Sequence, residues 1–105
     1  MKTLAQQQPL AGQTALVTGA TQGIGRAIVL ALAEAGATVW INHLDQPAAA
    51  SALVERIAAA GGTAHAVQAN VADVAQVEAM VARVLAAGDL HILVNNAGII
   101  LEKPF

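Results

Sequence analysis

Residues 18–25 read Thr18-Gly19-Ala20-Thr21-Gln22-Gly23-Ile24-Gly25, preceded by Thr14-Ala15-Leu16-Val17 and followed by Arg26-Ala27-Ile28-Val29-Leu30. Ala15-Leu16-Val17-Thr18 is a short apolar run between turn residues, the pattern of a strand buried on both faces. Ile24, Ala27, Ile28, Ala31, Leu32 and Ala35 then recur at spacings of three and four, which predicts a helix with these residues on one face, closed by Gly36. The glycines therefore sit in a strand-to-helix turn. There they permit backbone angles closed to other residues, let a diphosphate approach the main chain, and let the helix lie close to the sheet. The unpaired N–H groups of the first helical turn would face such an anion, aided by the helix dipole. A glycine-rich turn also serves simply as a tight corner, so the loop by itself leaves both readings open.

Working outward, Thr38-Val39-Trp40-Ile41 is a second β-branched strand. Asp45 is placed to cap the helix that follows, with Pro47 in its first turn and Ala52, Leu53, Arg56, Ile57 and Ala60 along it to the stop at Gly61-Gly62. Thr63 to Gln68 reads as a third strand. Asp73 then caps a helix with Val74, Val77, Val81, Val84 and Leu85 on one side, ended by Gly88, and His91-Ile92-Leu93-Val94 is a fourth strand. Strands and helices alternate, which predicts an α/β fold with a parallel sheet. Right-handed crossovers make 3-2-1-4 the natural strand order, with a ligand crevice at the carboxyl ends where the order reverses. This is the first half of a doubly wound, Rossmann-type fold. Residues 1–12, Gln-rich and containing Pro9, read as a flexible leader, and residues 13–105 as a truncated dinucleotide-binding domain.

Composition narrows the partners. The 105 residues are 56% hydrophobic, but alanine supplies much of this, with one Trp, one Phe and no Tyr. The core must come from closely approached backbones. A formal net charge of −2 without blocks of like charge predicts neither nucleic acid nor an anionic membrane as partner. Without Cys there is no disulfide or thiolate site, and His43, His65 and His91 lie on different elements, so no metal site is expected. No stretch reaches the roughly 20 apolar residues of a membrane span, and no signal-peptide pattern opens the chain. A cytoplasmic location is the expectation.

The glycine spacing is G-x-x-x-G-x-G, and Asn95-Asn96-Ala97-Gly98 follows the fourth strand. Thr-Gly-x-x-x-Gly-Ile-Gly at the first turn together with Asn-Asn-Ala-Gly after strand four resembles the short-chain dehydrogenase/reductase family. Within it the chain is most similar to the group of bacterial 3-oxoacyl-carrier-protein reductases and glucose dehydrogenases. The resemblance covers residues 10–105, including Ala60-Gly61-Gly62 and Asn70-Val71-Ala72-Asp73.

The resemblance implies hydride transfer between a nicotinamide cofactor and an alcohol or carbonyl. By position, Gly19, Thr21, Gln22, Gly23 and Ile24 would line the diphosphate and adenosine ribose, with Gly25 serving mainly helix packing. Asn70 would meet the adenine amino group with the Val71 main chain beside it, although Asn70 also reads as a turn residue before the Asp73 cap. Asn96, Ala97 and Gly98 would run along the nicotinamide-side ribose, the asparagines also bracing the sheet.

Cofactor choice falls on Asn42-His43-Leu44-Asp45, where His43 occupies the usual acidic position. Gln22 stands where NADP-preferring members often carry Arg or Lys, a lean towards NAD, while a protonated His43 would suit a 2′-phosphate. His91 reads as a strand-edge residue and Trp40 as packing against a helix.

The family's catalytic Ser and Tyr-x-x-x-Lys lie downstream of its Asn-Asn-Ala-Gly segment, and no residue here is assigned a catalytic role. Hydride transfer needs an acid or base within reach of the substrate oxygen, so the chain is expected to be inactive alone. Its fourth strand would have an open edge, predicting marginal stability, self-association or a complementing chain. The alternative is a non-catalytic dinucleotide-binding or interaction module. A methyltransferase-like nucleotide binder shares a glycine-rich first turn, but Asn-Asn-Ala-Gly disfavours it.

Overall fold

A computed structural model describes residues 8–97 of the chain. The element order is β1 (Thr14–Val17), α1 (Gly23–Glu34), β2 (Thr38–His43), α2 (Pro47–Ala59), β3 (Thr63–Gln68), α3 (Val74–Ala87) and β4 (Ile92–Val94). The strands form one parallel sheet in the order β3-β2-β1-β4, as the alternation of elements predicts. Leu16 of β1 is in register with Trp40 on one side and Leu93 on the other, so β1 is buried between neighbours. Its Ala15, Leu16 and Val17 are fully buried.

Side-chain alternation along β1 and β2 splits the core into two layers. Val17, Val39 and Ile41 face Val29 of α1 and Ala50, Leu53 and Ile57 of α2. Leu16 and Trp40 face Met80 and Val84 of α3. Two helices thus cover one face and one covers the other, the doubly wound arrangement. Trp40 packs against α3 as expected: the Arg83 guanidinium lies 5.7 Å from its ring centroid, and His65 of β3 stacks tilted at 4.6 Å.

Helix ends follow local chemistry. Gly36 is left-handed at φ 102° just beyond α1, and the Asp73 carboxylate accepts from the Gln76 amide to cap α3. The expected cap at Asp45 is displaced. Pro47 occupies the first turn of α2, which moves the cap position to Gln46, and Gln46 makes no side-chain capping bond. Instead the Gln46 amide donates to His43 Nδ1 at 3.1 Å.

Which side of each helix is buried also differs from the apolar spacing. In α1 the buried residues are Gly25 and Val29, with Ile28 and Leu32 packed partly against them, whereas Ile24 is 74% exposed and Ala27 and Ala31 face out. In α2 Ala50 joins Leu53 and Ile57, and Ala52, Arg56 and Ala60 are exposed. In α3 Met80 and Val84 are buried while Val74 and Leu85 are exposed. Alanine and valine recur on more than one side of these helices, so periodicity alone admits several faces, and packing on the sheet selects among them.

Of the expected leader, residues 8–12 fall within the described part and form a turn. The Leu10 amide donates to the Ala35 carbonyl, and Leu10 packs partly on the core. No helix among the described residues is long and apolar enough to cross a membrane.

Candidate functional site

Because all four strands run the same way, the segments leaving their carboxyl ends meet on one edge of the sheet. Residues 18–25 follow β1, Asn42 and His43 end β2, Ala69-Asn70-Val71 follow β3, and Asn95-Asn96-Ala97 follow β4. This brings together every residue expected to meet a dinucleotide except Gly98, which lies outside the described residues. The strand order reverses between β1 and β4, the position at which open α/β sheets receive ligands.

The glycine loop is shaped by two left-handed residues, Gly19 at φ 58° and Gly23 at φ 60°. A Cβ on Gly19 would lie 2.8 Å from Ala97 Cα, whereas one on Gly23 would meet nothing within 4 Å. Gly19 is therefore needed for close approach of two chain segments, and Gly23 borders open space. Gln22, in extended backbone, is the cap position of α1 and makes no side-chain capping bond, so among the described residues no side chain caps the first-turn N–H groups of α1. Such a helix start favours an anion through its free donors and dipole. Thr21 is half-buried, and its hydroxyl bonds the Gln46 side-chain oxygen, tying the loop to the start of α2.

A hub not anticipated as a site residue is Thr18, 5% exposed. Its Oγ1 accepts from the amides of Asn96 at 3.0 Å and Ala97 at 2.9 Å, and donates towards Asn95 Oδ1 at 3.3 Å. Asn96 Nδ2 in turn donates to the Gly19 carbonyl at 3.1 Å. The two segments carrying the motifs are thus bonded to one another, and the asparagines brace the sheet edge. Thr18→Val keeps the side-chain shape but strands two amides, so a loss of about 2 kcal/mol is expected in urea unfolding, with Thr18→Ser close to neutral. A wild-type midpoint for Thr18→Val would refute the hub role.

After β3, Asn70 makes a local turn: its Oδ1 accepts from the Ala72 amide at 2.9 Å while its own amide donates to Gln76 Oε1 at 2.8 Å. That is the turn role expected of it. His43 is 6% exposed, and its Nδ1 is engaged by the Gln46 amide. In a neutral ring with an accepting Nδ1, the proton resides on Nε2. His91 Nδ1 accepts from the Thr14 amide at 2.9 Å at the opposite end of β1, consistent with a strand-edge role. Among the described residues no group of three or more His, Cys, Asp or Glu could hold a metal ion.

A groove of about 630 Å³ lies at the amino ends of the strands, lined by Glu34, Gly36, Thr38, Arg56, Gly62 and Thr63 among others. None of the residues expected to meet a dinucleotide lines it.

Comparison with known proteins places this geometry. The family model for short chain dehydrogenases matches residues 13–105. The chain is 51% identical over 88 residues to 3-oxoacyl-[acyl-carrier-protein] reductase FabG from Staphylococcus aureus, covering 83% of this chain and 36% of that protein. It is 50% identical over 91 residues to an uncharacterised oxidoreductase from Methylorubrum extorquens, covering 86% of this chain and 37% of that one.

Among solved structures, a blue fluorescent protein from a metagenomic library in complex with NADPH superposes with a TM-score of 0.85 at 42% identity, covering 91% of this chain and 40% of that one. A short chain dehydrogenase from Burkholderia cenocepacia in complex with NADP superposes at 0.83 with 48% identity, covering 89% and 38%. The chain spans little more than a third of the length of these relatives.

Proposed function

The chain belongs to the short-chain dehydrogenase family, and we propose that residues 13–105 are the part of such an oxidoreductase that receives the adenosine diphosphate end of a nicotinamide dinucleotide. The observation that carries this is the uncapped start of α1 opening beside Gly23, at the carboxyl end of β1 and next to the β4 crossover. In this reading Gly19, Thr21, Gln22, Gly23 and Ile24 line the diphosphate and ribose, Asn70 and Val71 the adenine, and Asn96, Ala97 and Gly98 the nicotinamide-side ribose, with Gly25 keeping the helix close. The complete protein would transfer hydride between the cofactor and an alcohol or carbonyl in a cytoplasmic setting, and the 105 residues alone would bind without turnover.

The relatives with a named cofactor hold NADP or NADPH, which supports a nicotinamide dinucleotide and lends nothing to the lean towards NAD. His43 supplies no carboxylate to accept from a 2′-hydroxyl. With Nδ1 occupied, its remaining nitrogen is a donor when neutral, compatible with a phosphate oxygen. We therefore propose that NADP binds at least as tightly as NAD.

Titration of the chain with NADP, NAD and nicotinamide mononucleotide, followed by amide shifts, tests the reading. The dinucleotides are expected to move residues 19–25 at sub-millimolar concentrations, and the mononucleotide to move them far less. If neither dinucleotide perturbs the loop, the reading fails. Turnover of a carbonyl substrate by the pure chain would overturn the claim of inactivity and with it the second reading, a non-catalytic binding module.

A further inference from the structure

Asn42, at the penultimate position of β2, is the one polar residue among the largest fully buried side chains, with 2% exposure. Its Oδ1 accepts from the Gly19 amide at 3.2 Å. Its Nδ2 donates to the Ala69 carbonyl at 3.2 Å and lies 3.4 Å from the Val67 carbonyl. The orientation of the amide is dictated by chemistry, because a backbone N–H can only donate and a carbonyl can only accept. The Asn42 main chain adds a further tie, its carbonyl accepting from the Ala20 amide at 3.0 Å.

Gly19 opens the loop proposed for the diphosphate, and Ala69 immediately precedes Asn70 and Val71, proposed for the adenine. One side chain therefore bonds both loops from within the sheet. Asn96 holds the same residue from the next peptide, its Nδ2 donating to the Gly19 carbonyl. From this geometry we infer that Asn42 is a positioning residue that sets the distance between the diphosphate loop and the adenine loop. An inference of this kind rests on the dinucleotide reading above.

Neither the corresponding acid nor an apolar residue of similar size reproduces the arrangement. Asp retains the acceptor but turns a carboxylate oxygen towards two carbonyls, and Leu fills the volume but leaves the Gly19 amide and the Ala69 carbonyl without partners. The consequence is specific to ligands that span both loops. Losing Asn42 lets each loop relax separately, so a molecule touching only the diphosphate loop is affected less than one touching both.

The test compares ADP, which spans both loops, with inorganic pyrophosphate, which occupies only the first, on the wild-type chain and on Asn42→Ala. The expected result is a loss in ADP affinity about tenfold greater than the loss in pyrophosphate affinity, corresponding to roughly one hydrogen bond of misplacement. Equal losses for both ligands would reduce Asn42 to a general stabilising residue and overturn the inference. If the wild type binds neither ligand, the dinucleotide reading itself is wrong and the inference falls with it. Should Asn42→Ala not fold, Asn42→Ser is read by the same ratio. Independently of any variant, the Gly19 amide of the ligand-free chain must be protected from hydrogen exchange well beyond its loop neighbours Gln22 and Gly23. Exchange at their rate would also overturn the inference.

Discussion

Gly25→Ala is expected to destabilise the native fold severely, by about 3 kcal/mol or more. A methyl group at Gly25 would overlap the Gly19 carbonyl oxygen and stand 2.5 Å from Asn96 Nδ2. These atoms belong to the hydrogen bond that joins the glycine loop to the segment after β4. The carbonyl is backbone and cannot simply rotate away, because Gly19 is held at its amide by Asn42 and at its carbonyl by Asn96. Relief requires lifting α1 from the sheet, which uncovers the fully buried Val29. Overpacking against an unyielding backbone costs about 3 kcal/mol or more, a large part of the roughly 5–15 kcal/mol that holds a typical domain.

Gly23→Ala is the informative contrast. Its Cβ meets no atom within 4 Å, so the cost is only the left-handed backbone at φ 60°, about 1–2 kcal/mol. That variant should fold by circular dichroism yet lose dinucleotide affinity, since the methyl would stand in the open space at the helix start. Equal melting of Gly25→Ala and wild type would show that the helix does not depend on this approach.

A change of assembly state is the second large effect. Among the described residues β4 pairs only with β1, and Leu93 on it is 63% exposed. The opposite edge, β3, presents Thr63, His65 and Gln68 to solvent, polar groups that discourage a further strand. An apolar side chain beside unpaired backbone donors and acceptors does the reverse. The chain is therefore expected to self-associate at concentrations of order 100 μM, and Leu93→Glu to shift it towards monomer in sedimentation velocity. A wild-type chain that sediments as a monomer across that range would remove β4 as an adhesive edge. The same edge is where a complementing chain would dock, and addition of the remaining length of a relative should suppress self-association if it pairs there.

Much of this architecture could be read before any coordinates. Four apolar runs separated by amphipathic stretches specify a parallel sheet, because consecutive parallel strands need a helical crossover of one hand. The glycine spacing of residues 19–25 and the segment from Asn95 mark the edge where a ligand would lie. The bounds of β3 and the Asp73 cap follow from alternation and from a carboxylate placed three residues before the amide it accepts.

The faces of the helices did not follow in the same way. Gly-Ile-Gly-Arg-Ala-Ile-Val-Leu-Ala-Leu-Ala-Glu offers apolar residues on nearly every side of α1, so spacing could not tell Ile24 from Val29. Nor could it identify Thr18 and Asn42 as the residues that lock the site, since their partners lie 76 and more positions away in one case and 23 to 27 in the other.

By itself, then, the order of residues determined which segments are strands, which are helices, how the strands must be arranged, and at which end of the sheet the glycine loop and the Asn-Asn-Ala-Gly segment meet. Those properties arise from local backbone preference and the handedness of short connections. Only the folded molecule decided which helix side is buried, that the cap position of α2 is Gln46 rather than Asp45, and that two asparagines grip one glycine, one at its amide and one at its carbonyl. Such choices depend on how closely distant segments can approach, a matter of volume and of hydrogen-bond partners brought together across the sheet rather than along the chain.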